Sequence, residues 1–425
     1  MKFSNFQKTL QKYLVPISLK LEKQKHIQAI KDGMISIVPV IIIGSFCLLP
    51  LALKNMLPAG ALQQFLIDYM DIYLFPTTFT TNVVSLYAAF GIADSLARAY
   101  KLNSRGTPIV AIVIQLILCG EKIEGGIGIA NLGAEGIFVS MISAILVVEV
   151  TRFMKEKKLV IKMPESVPSM VADSMSSLFP VIVSVIIATT ISMVCLKTSG
   201  MQFPKLVMSM LAPAIQSIDT LPAVMLIIFL TQLLWFLGLH GQAIVGVIWG
   251  PFALTYATEN IAAYAAGLPA THVFTDSVFF TMLSVTGSGL TLGLVILMMM
   301  SKAKSFKAVG KAAVIPSIFG INEPVIFGVP IVMNPFLFVP FVFGPVLIAA
   351  IDFLAIKYGF VGMAITQPPG FLPPGVGAFL MTMDYRAPIL VLLTLVLMAV
   401  IYYPFFKVME ANELKKELEE EKKLA

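Results

Sequence analysis

From Gly33 to Leu53 the chain runs for 21 residues without one charged side chain, and comparable runs recur along its length. A helix needs about 20 mostly apolar residues to cross the hydrocarbon core of a bilayer. The further candidates are Phe75–Ala97, Thr107–Gly120, Gly136–Met154, Leu178–Leu196, Leu221–Leu239, Ala243–Ala257, Ser288–Met300, Met333–Ile356 and Pro388–Phe406. These predict an all-α integral membrane protein of about ten transmembrane helices. Composition agrees, with 13% of the 425 residues charged and 58% hydrophobic, against about a quarter charged in a soluble chain. In water such a chain would expose apolar patches far above the few hundred Å² that soluble proteins tolerate.

Basic residues fall in short runs between the apolar segments: RAYKLNSR at 98–105, RFMKEKKLVIK at 152–162 and KAKSFKAVGK at 302–311. With an even number of crossings these lie on one side, together with both termini, and the excess of Lys and Arg makes that side the cytoplasm. The net charge of +6 is therefore juxtamembrane, contacting anionic lipid rather than nucleic acid. Residues 1–32 lack a signal-peptide core and place Phe3, Phe6, Leu10, Tyr13 and Leu14 at helical spacing, as in an amphipathic helix lying in the membrane interface. Cys47, Cys119 and Cys195 form no CxxC and read as buried thiols. The tail NELKKELEEEKKLA reads as a solvated charged helix.

The two halves differ. Past about Leu196, glycine and proline break the apolar runs: GLHGQ at 238–242, TGSG at 286–289, GINEPVIFGVP at 320–330 and QPPGFLPPGVG at 367–377. Interrupted backbone cannot face lipid, because unpaired N–H and C=O groups there cost several kcal/mol each. It must line a cavity or pack inside protein, which is how transporters build mid-membrane sites from discontinuous helices and re-entrant hairpins. The expected organisation is an interfacial helix over 1–32, a scaffold and dimerisation half over 33–219, a substrate-binding transport half with re-entrant hairpins over 220–408, and a charged cytoplasmic tail over 409–425.

Ionisable residues at membrane depth are functional candidates by default. Two stand out: His240 between glycines in WFLGLHGQ, and Glu323 in FGINEPVIFG. The bland alternatives are a histidine packed on a glycine turn and a carboxylate capping a short re-entrant helix. No HExxH is present, and His272 with Asp276, four apart, supplies too few ligands for a metal. A carboxylate with an imidazole suits the gripping of a hydroxyl-rich solute, and the carboxylate can act as general base on one hydroxyl. The same pattern also suits a secondary sugar transporter coupled to H⁺ or Na⁺, with Glu323 as the proton site.

The stretch GINEPVIFGVPIVMNP at 320–335 closely resembles the signature of the membrane component, enzyme IIC, of sugar phosphotransferase systems in the lactose, cellobiose and diacetylchitobiose branch. WFLGLHG resembles that family's tryptophan-containing segment ending in G-I-H-G, and VTGSGLTLGLVI resembles its M-G-G-S-G-A-T-L run. The resemblance implies a bacterial cytoplasmic-membrane permease, a homodimer. It would bind a disaccharide of cellobiose, chitobiose or lactose type and shift it to the cytoplasm by elevator-type alternating access. There a separate enzyme IIB, itself charged by enzyme IIA, transfers phosphate from a cysteine to the sugar 6-hydroxyl. The subunit itself needs no cofactor and no metal, and alone binds sugar without phosphorylating it. Carried over onto this chain, Glu323 accepts the hydroxyl proton and His240 orients that hydroxyl, Asn322 holds the hairpin or a sugar hydroxyl, and Ser284 offers a polar side chain to the sugar.

Two departures stand at the expected sugar site. Where many members carry P-W-T-T-P-P, this chain has Pro369-Gly370-Phe371-Leu372-Pro373-Pro374, so that Phe371 either replaces the stacking tryptophan or makes a simple apolar contact. Thr286 stands where the family usually has glycine.

Overall fold

The structure, a computed structural model, describes residues 24–102, 106–161, 163–164, 167–168, 172, 175–328 and 331–424, leaving out the side chains of Met56, Glu323, Phe327 and 420–424. The helices are α1 (Lys25–Phe46), α2 (Leu49–Met56), α3 (Ala61–Asp68), α4 (Met70–Phe79), α5 (Val84–Ala99), α6 (Gly106–Cys119), α7 (Gly136–Glu156), α8 (Leu178–Ser199) and α9 (Phe203–Ile218). There follow α10 (Leu221–Phe236), α11 (Gly241–Ala265), α12 (Leu292–Met299), α13 (Lys304–Ile318), α14 (Glu323–Gly328), α15 (Phe338–Lys357), α16 (Val376–Thr382) and α17 (Arg386–Leu424). A small antiparallel hairpin pairs Glu121 with Gly128 and Ile123 with Gly126.

The chain divides into two compact units. One comprises Leu21–Gln216 with Gly250–Pro269, the other Ser217–Trp249 with Ala270–Ala425.

In the first unit, small residues bring helices together. A β-carbon on Gly33 of α1 would lie 2.4 Å from the Ile92 backbone nitrogen, and one on Gly91 of α5 would lie 2.4 Å from Ser36 Oγ. The two backbones thus meet with almost no side chain between them, the mode of packing favoured where lipid removes the hydrophobic drive between helices. Ala88, Ala89, Ile92, Ala93 and Leu96 of α5 are fully buried in the resulting core. A polar link runs through it: Gln115 Nε2 donates to the Gly136 carbonyl at 3.0 Å, and Ser143 Oγ donates to Gln115 Oε1 at 2.7 Å. Glu149 pairs with His26 at 2.8 Å and with Arg152 at 2.7 Å.

In the second unit, α10 and α15 run antiparallel, setting Phe236 edge-on to Phe338 at 5.0 Å and Phe229 against Phe343 at 5.6 Å. The short helix α12 is held closely on two sides. A β-carbon on Gly293 would lie 2.8 Å from Ala399 of α17, and one on Gly310 of α13 would lie 2.8 Å from the Met299 nitrogen.

Among the described residues, five helices are long and apolar enough to cross a membrane, or six if the broken pair Phe203–Ile218 and Leu221–Phe236 counts as one. The ten apolar runs therefore do not translate into ten long helices. Several are shortened or divided, as at Ser288–Met300, where the helix begins only at Leu292. The basic stretch 302–311, expected as a loop, opens an amphipathic helix instead, because Phe306, Gly310, Ala313 and Ser317 fall on one buried face. The interfacial helix expected over 1–32 lies outside the described residues up to 23, and from Lys25 the chain already belongs to α1. The tail is helical as expected, but as the unbroken continuation of α17.

Candidate functional site

All the candidate residues belong to the second unit. Two of the glycine motifs turn out to be the same device. Helix α13 ends with Gly320 at φ +77. Ile321 N–H donates to the Pro316 carbonyl and Gly320 N–H to that of Ser317, the two bonds of a Schellman cap. Helix α10 ends likewise, with Gly238 at φ +82, Leu239 N–H donating to Leu234 and Gly238 N–H to Trp235. Only glycine takes this left-handed backbone without cost. Each cap stops a helix abruptly and releases one polar residue just beyond it: Asn322 after the first, His240 after the second.

His240 begins the next helix. Its carbonyl accepts from Ile244 N–H at 3.2 Å, and its Nδ1 lies 3.1 Å from the Ala243 nitrogen. A backbone N–H can only donate, so Nδ1 is the acceptor and the neutral ring carries its proton on Nε2. The ring leans on the buried Trp235, centroids 4.5 Å apart, and the side chain is exposed. The histidine is thus an N-cap.

Asn322 is buried, at 3% exposure. Its Nδ2 donates to the Ser288 carbonyl and, at 3.1 Å, to Thr291 Oγ1. Its carbonyl starts α14, accepting from Val325 and Ile326 at 3.0 Å, while Pro324 occupies the first turn, where a missing N–H does no harm. The asparagine therefore ties the INEP segment to the TGSG loop. The fit is close: a β-carbon on Gly287, at φ +82, would lie 2.4 Å from Asn322 Cγ. The loop also meets the glycine cap, since a β-carbon on Gly320 would touch the Val285 carbonyl at 3.4 Å and that of Ser284 at 3.9 Å.

The remaining candidates are placed as follows. Glu323 is the first residue of α14, and its side chain lies outside the described residues. Ser284 is half-buried after the π-helical turn Phe279–Leu283, the kind of irregular turn that recurs at functional positions. Thr286 is fully buried, its hydroxyl without a hydrogen-bond partner among the described residues. Phe371 stands 71% exposed on left-handed backbone at φ +62. The chain eight residues past the INEP segment meets the end of α10: Met333 N–H donates to the Phe236 carbonyl at 3.0 Å, and a β-carbon on Gly238 would lie 3.2 Å from Val332.

His272 and Asp276, which could share a helical face by spacing, part company. His272 Nδ1 lies 3.2 Å from Asp219 Oδ2, whose carboxylate also accepts from Val273 and Phe274 N–H. Asp276 instead accepts from Gln367 Nε2 at 2.8 Å. Among the described residues no group of three or more His, Cys, Asp and Glu could hold a metal. The Asp276–Gln367 pair anchors the proline-rich hairpin and was not legible in the sequence, where Gln367 is only the first letter of QPPGFLPP. The far end of that hairpin is tied by Asp384, which accepts from Gly362 N–H at 2.8 Å and from the Arg386 guanidinium at 2.7 Å. Partial burial of Asp384 works against its charge, but the Arg386 side chain and the two backbone N–H groups outweigh it and hold the carboxyl below the usual range.

The sequence model described as "Phosphotransferase system, EIIC" matches residues 31–345. The chain belongs to that family. Among similar proteins, the cellobiose-specific EIIC component of Geobacillus stearothermophilus is 32% identical, with 97% of this chain and 96% of the relative covered. The oligo-beta-mannoside-specific EIIC component of Bacillus subtilis is 31% identical over 98% and 96%. The crystal structure of the transporter ChbC, the IIC component of an N,N′-diacetylchitobiose-specific phosphotransferase system, superposes with a TM-score of 0.89. It is 30% identical, with 96% of this chain and 99% of that one covered. This EIIC chain is accordingly a membrane permease component for sugar, and the resemblance drawn from GINEP holds along nearly its whole length.

Proposed function

We propose that this EIIC component binds a disaccharide in its second unit and presents the sugar 6-hydroxyl to a phosphorylated EIIB partner. The observation that carries this reading is the state of His240. Its Nδ1 is held by Ala243 N–H, so Nε2–H is directed to donate to a sugar hydroxyl oxygen. Glu323, the first residue of α14, accepts the proton of the same hydroxyl. The hydroxyl oxygen then attacks phosphorus, and the bond to the EIIB cysteine sulfur breaks. The phosphate comes from EIIB because this chain's own cysteines, Cys47, Cys119 and Cys195, lie in or at the end of apolar helices and are at least partly buried. No cofactor is required by this scheme.

Ser284, Thr286 and Phe371 complete the sugar contacts, Thr286 once its segment shifts. Asn322 acts by fixing the loop against which the sugar lies. The half over 33–219 serves as scaffold and homodimer contact, and the half over 220–408 moves in an elevator-type exchange. The protein lies in the bacterial cytoplasmic membrane with both termini in the cytoplasm, where EIIA charges EIIB. The competing scheme, uptake driven by an H⁺ or Na⁺ gradient, is supported by nothing beyond a carboxylate in an apolar stretch of sequence.

Membrane vesicles decide between them. Uptake of cellobiose, lactose or N,N′-diacetylchitobiose is expected to require phosphoenolpyruvate and the soluble phosphocarriers, and to persist when the ion gradients are collapsed. Uptake driven by a pH gradient without the carriers overturns the proposal.

A further inference from the structure

Helix α13 lacks a cap of its own. Ala303 at its N-cap offers no acceptor, and its first turn holds no acidic residue, although a helix start leaves four N–H groups without intrahelical partners. The missing acceptors come from more than a hundred residues away, on the cytoplasmic extension of α17. Glu417 takes both of the first two amides, Lys304 N–H at 3.1 Å on Oε2 and Ser305 N–H at 3.0 Å on Oε1. Glu413 Oε1 accepts from Ser305 Oγ at 3.2 Å. Glu410 Oε1 accepts from Lys302 N–H at 2.9 Å and Ser301 Oγ at 2.6 Å, and its other oxygen holds Lys407 at 2.7 Å. Residues 410, 413 and 417 are spaced three and four apart, so they line one face of α17. Their negative charge also suits the positive end of the α13 dipole.

The other end of α13 is the Gly320 cap, and directly after it come Asn322 and Glu323. A helix of 15 residues is a rigid rod about 22 Å long, pressed along its side against α12 through Gly310. What holds its first turn therefore sets where its last turn delivers the INEP segment. We propose that Glu410, Glu413 and Glu417 form a latch that positions the INEP segment for sugar, making the charged tail part of the binding apparatus. These glutamates are positioning residues; they touch the helix that carries the site. The inference rests on the sugar-binding reading above.

The test uses the purified full-length protein titrated with cellobiose, lactose and N,N′-diacetylchitobiose, wild type against Glu417→Ala and Glu417→Gln. Losing one helix cap costs about 1 kcal/mol, which in a chain of 425 residues is expected to keep both variants within about 2 °C of the wild-type melting temperature. Sugar Kd is expected to rise by about fivefold in Glu417→Ala, the scale of losing one helix cap, and by less in Glu417→Gln, whose amide oxygen still accepts from one N–H, with faster amide hydrogen exchange confined to 304–307. Unchanged Kd in both variants overturns the latch. So does a rise in Kd that comes only with a matching loss of melting temperature. Failure of the wild type to bind any of the three sugars speaks against the sugar-binding reading instead, and the exchange at 304–307 still reports whether the glutamate holds the helix.

Discussion

Asn322 fills the space that a β-carbon on Gly287 would need, its Cγ lying 2.4 Å from that position. Gly287 is also at φ +82, so substitution there meets a steric and a conformational penalty together. Gly287→Ala is expected to destabilise by about 2 kcal/mol or more, seen as a lower melting temperature in detergent and lost sugar binding. Trimming the partner in Asn322→Ala frees the space but strips the loop of its two hydrogen bonds, at a cost of about 1–3 kcal/mol. The double variant should therefore fall short of additivity, and strict additivity in thermal melts would mean the two residues do not touch.

His240 is an N-cap with a proposed part in phosphorylation, and substitution can separate the two. Asparagine is a strong N-cap, so His240→Asn is expected to keep the melting temperature near wild type while sugar phosphorylation drops about 10²-fold for want of the Nε2–H. His240→Ala should lose both, with about 1 kcal/mol of stability gone as well. Phosphorylation at the wild-type rate by His240→Asn, measured with phosphorylated EIIB, would remove the histidine from the mechanism.

Both motifs were visible in the sequence because their glycines are obligatory, one Schellman cap per motif, and because a histidine or a carboxylate amid apolar residues is conspicuous. The latch was not visible. Ala303 gives no sign of a cap, and the glutamates that replace it stand in a tail whose alternating charges look like any solvated helix. The basic residues of 302–311 read as a juxtamembrane loop, since charge density says nothing of backbone state. Only the spacing of Phe306, Gly310 and Ala313 marked a helix. Likewise, apolar run length located membrane segments but not their breaks, which depend on where a glycine turns left-handed or a π-turn intervenes. The site residues divide in the same way. His240 has its hydrogen bond fixed by local sequence, three residues on at Ala243, whereas Asn322 reaches back 34 positions to Ser288 and the pairing of Asp276 with Gln367 joins stretches 91 positions apart.

Glu323→Gln is expected to keep sugar binding, since the amide oxygen still accepts a hydroxyl, while phosphorylation falls by about 10²-fold or more through loss of the base. Calorimetric binding and an EIIB-coupled assay on the same preparation separate the two. A full rate of phosphorylation would reassign the base.

Phe371 permits a controlled test of stacking because its own backbone is strained at φ +62. Phe371→Ala removes the ring and keeps the strain; Phe371→Gly removes both. If the ring stacks on sugar, both variants should bind about fivefold more weakly, a loss of about 1 kcal/mol. Equal affinity of both variants with wild type, by titration, would make the ring a lipid contact.

The crossing of Gly33 with Gly91 has a mechanical corollary. Two helices whose main chains touch cannot slide past each other by rotamer changes, because there are no side chains between them to yield. Whatever rearrangement carries sugar across the bilayer, α1 and α5 must travel or stay put as one plank. A pair of spectroscopic labels spanning them should therefore read one unchanging separation throughout the transport cycle.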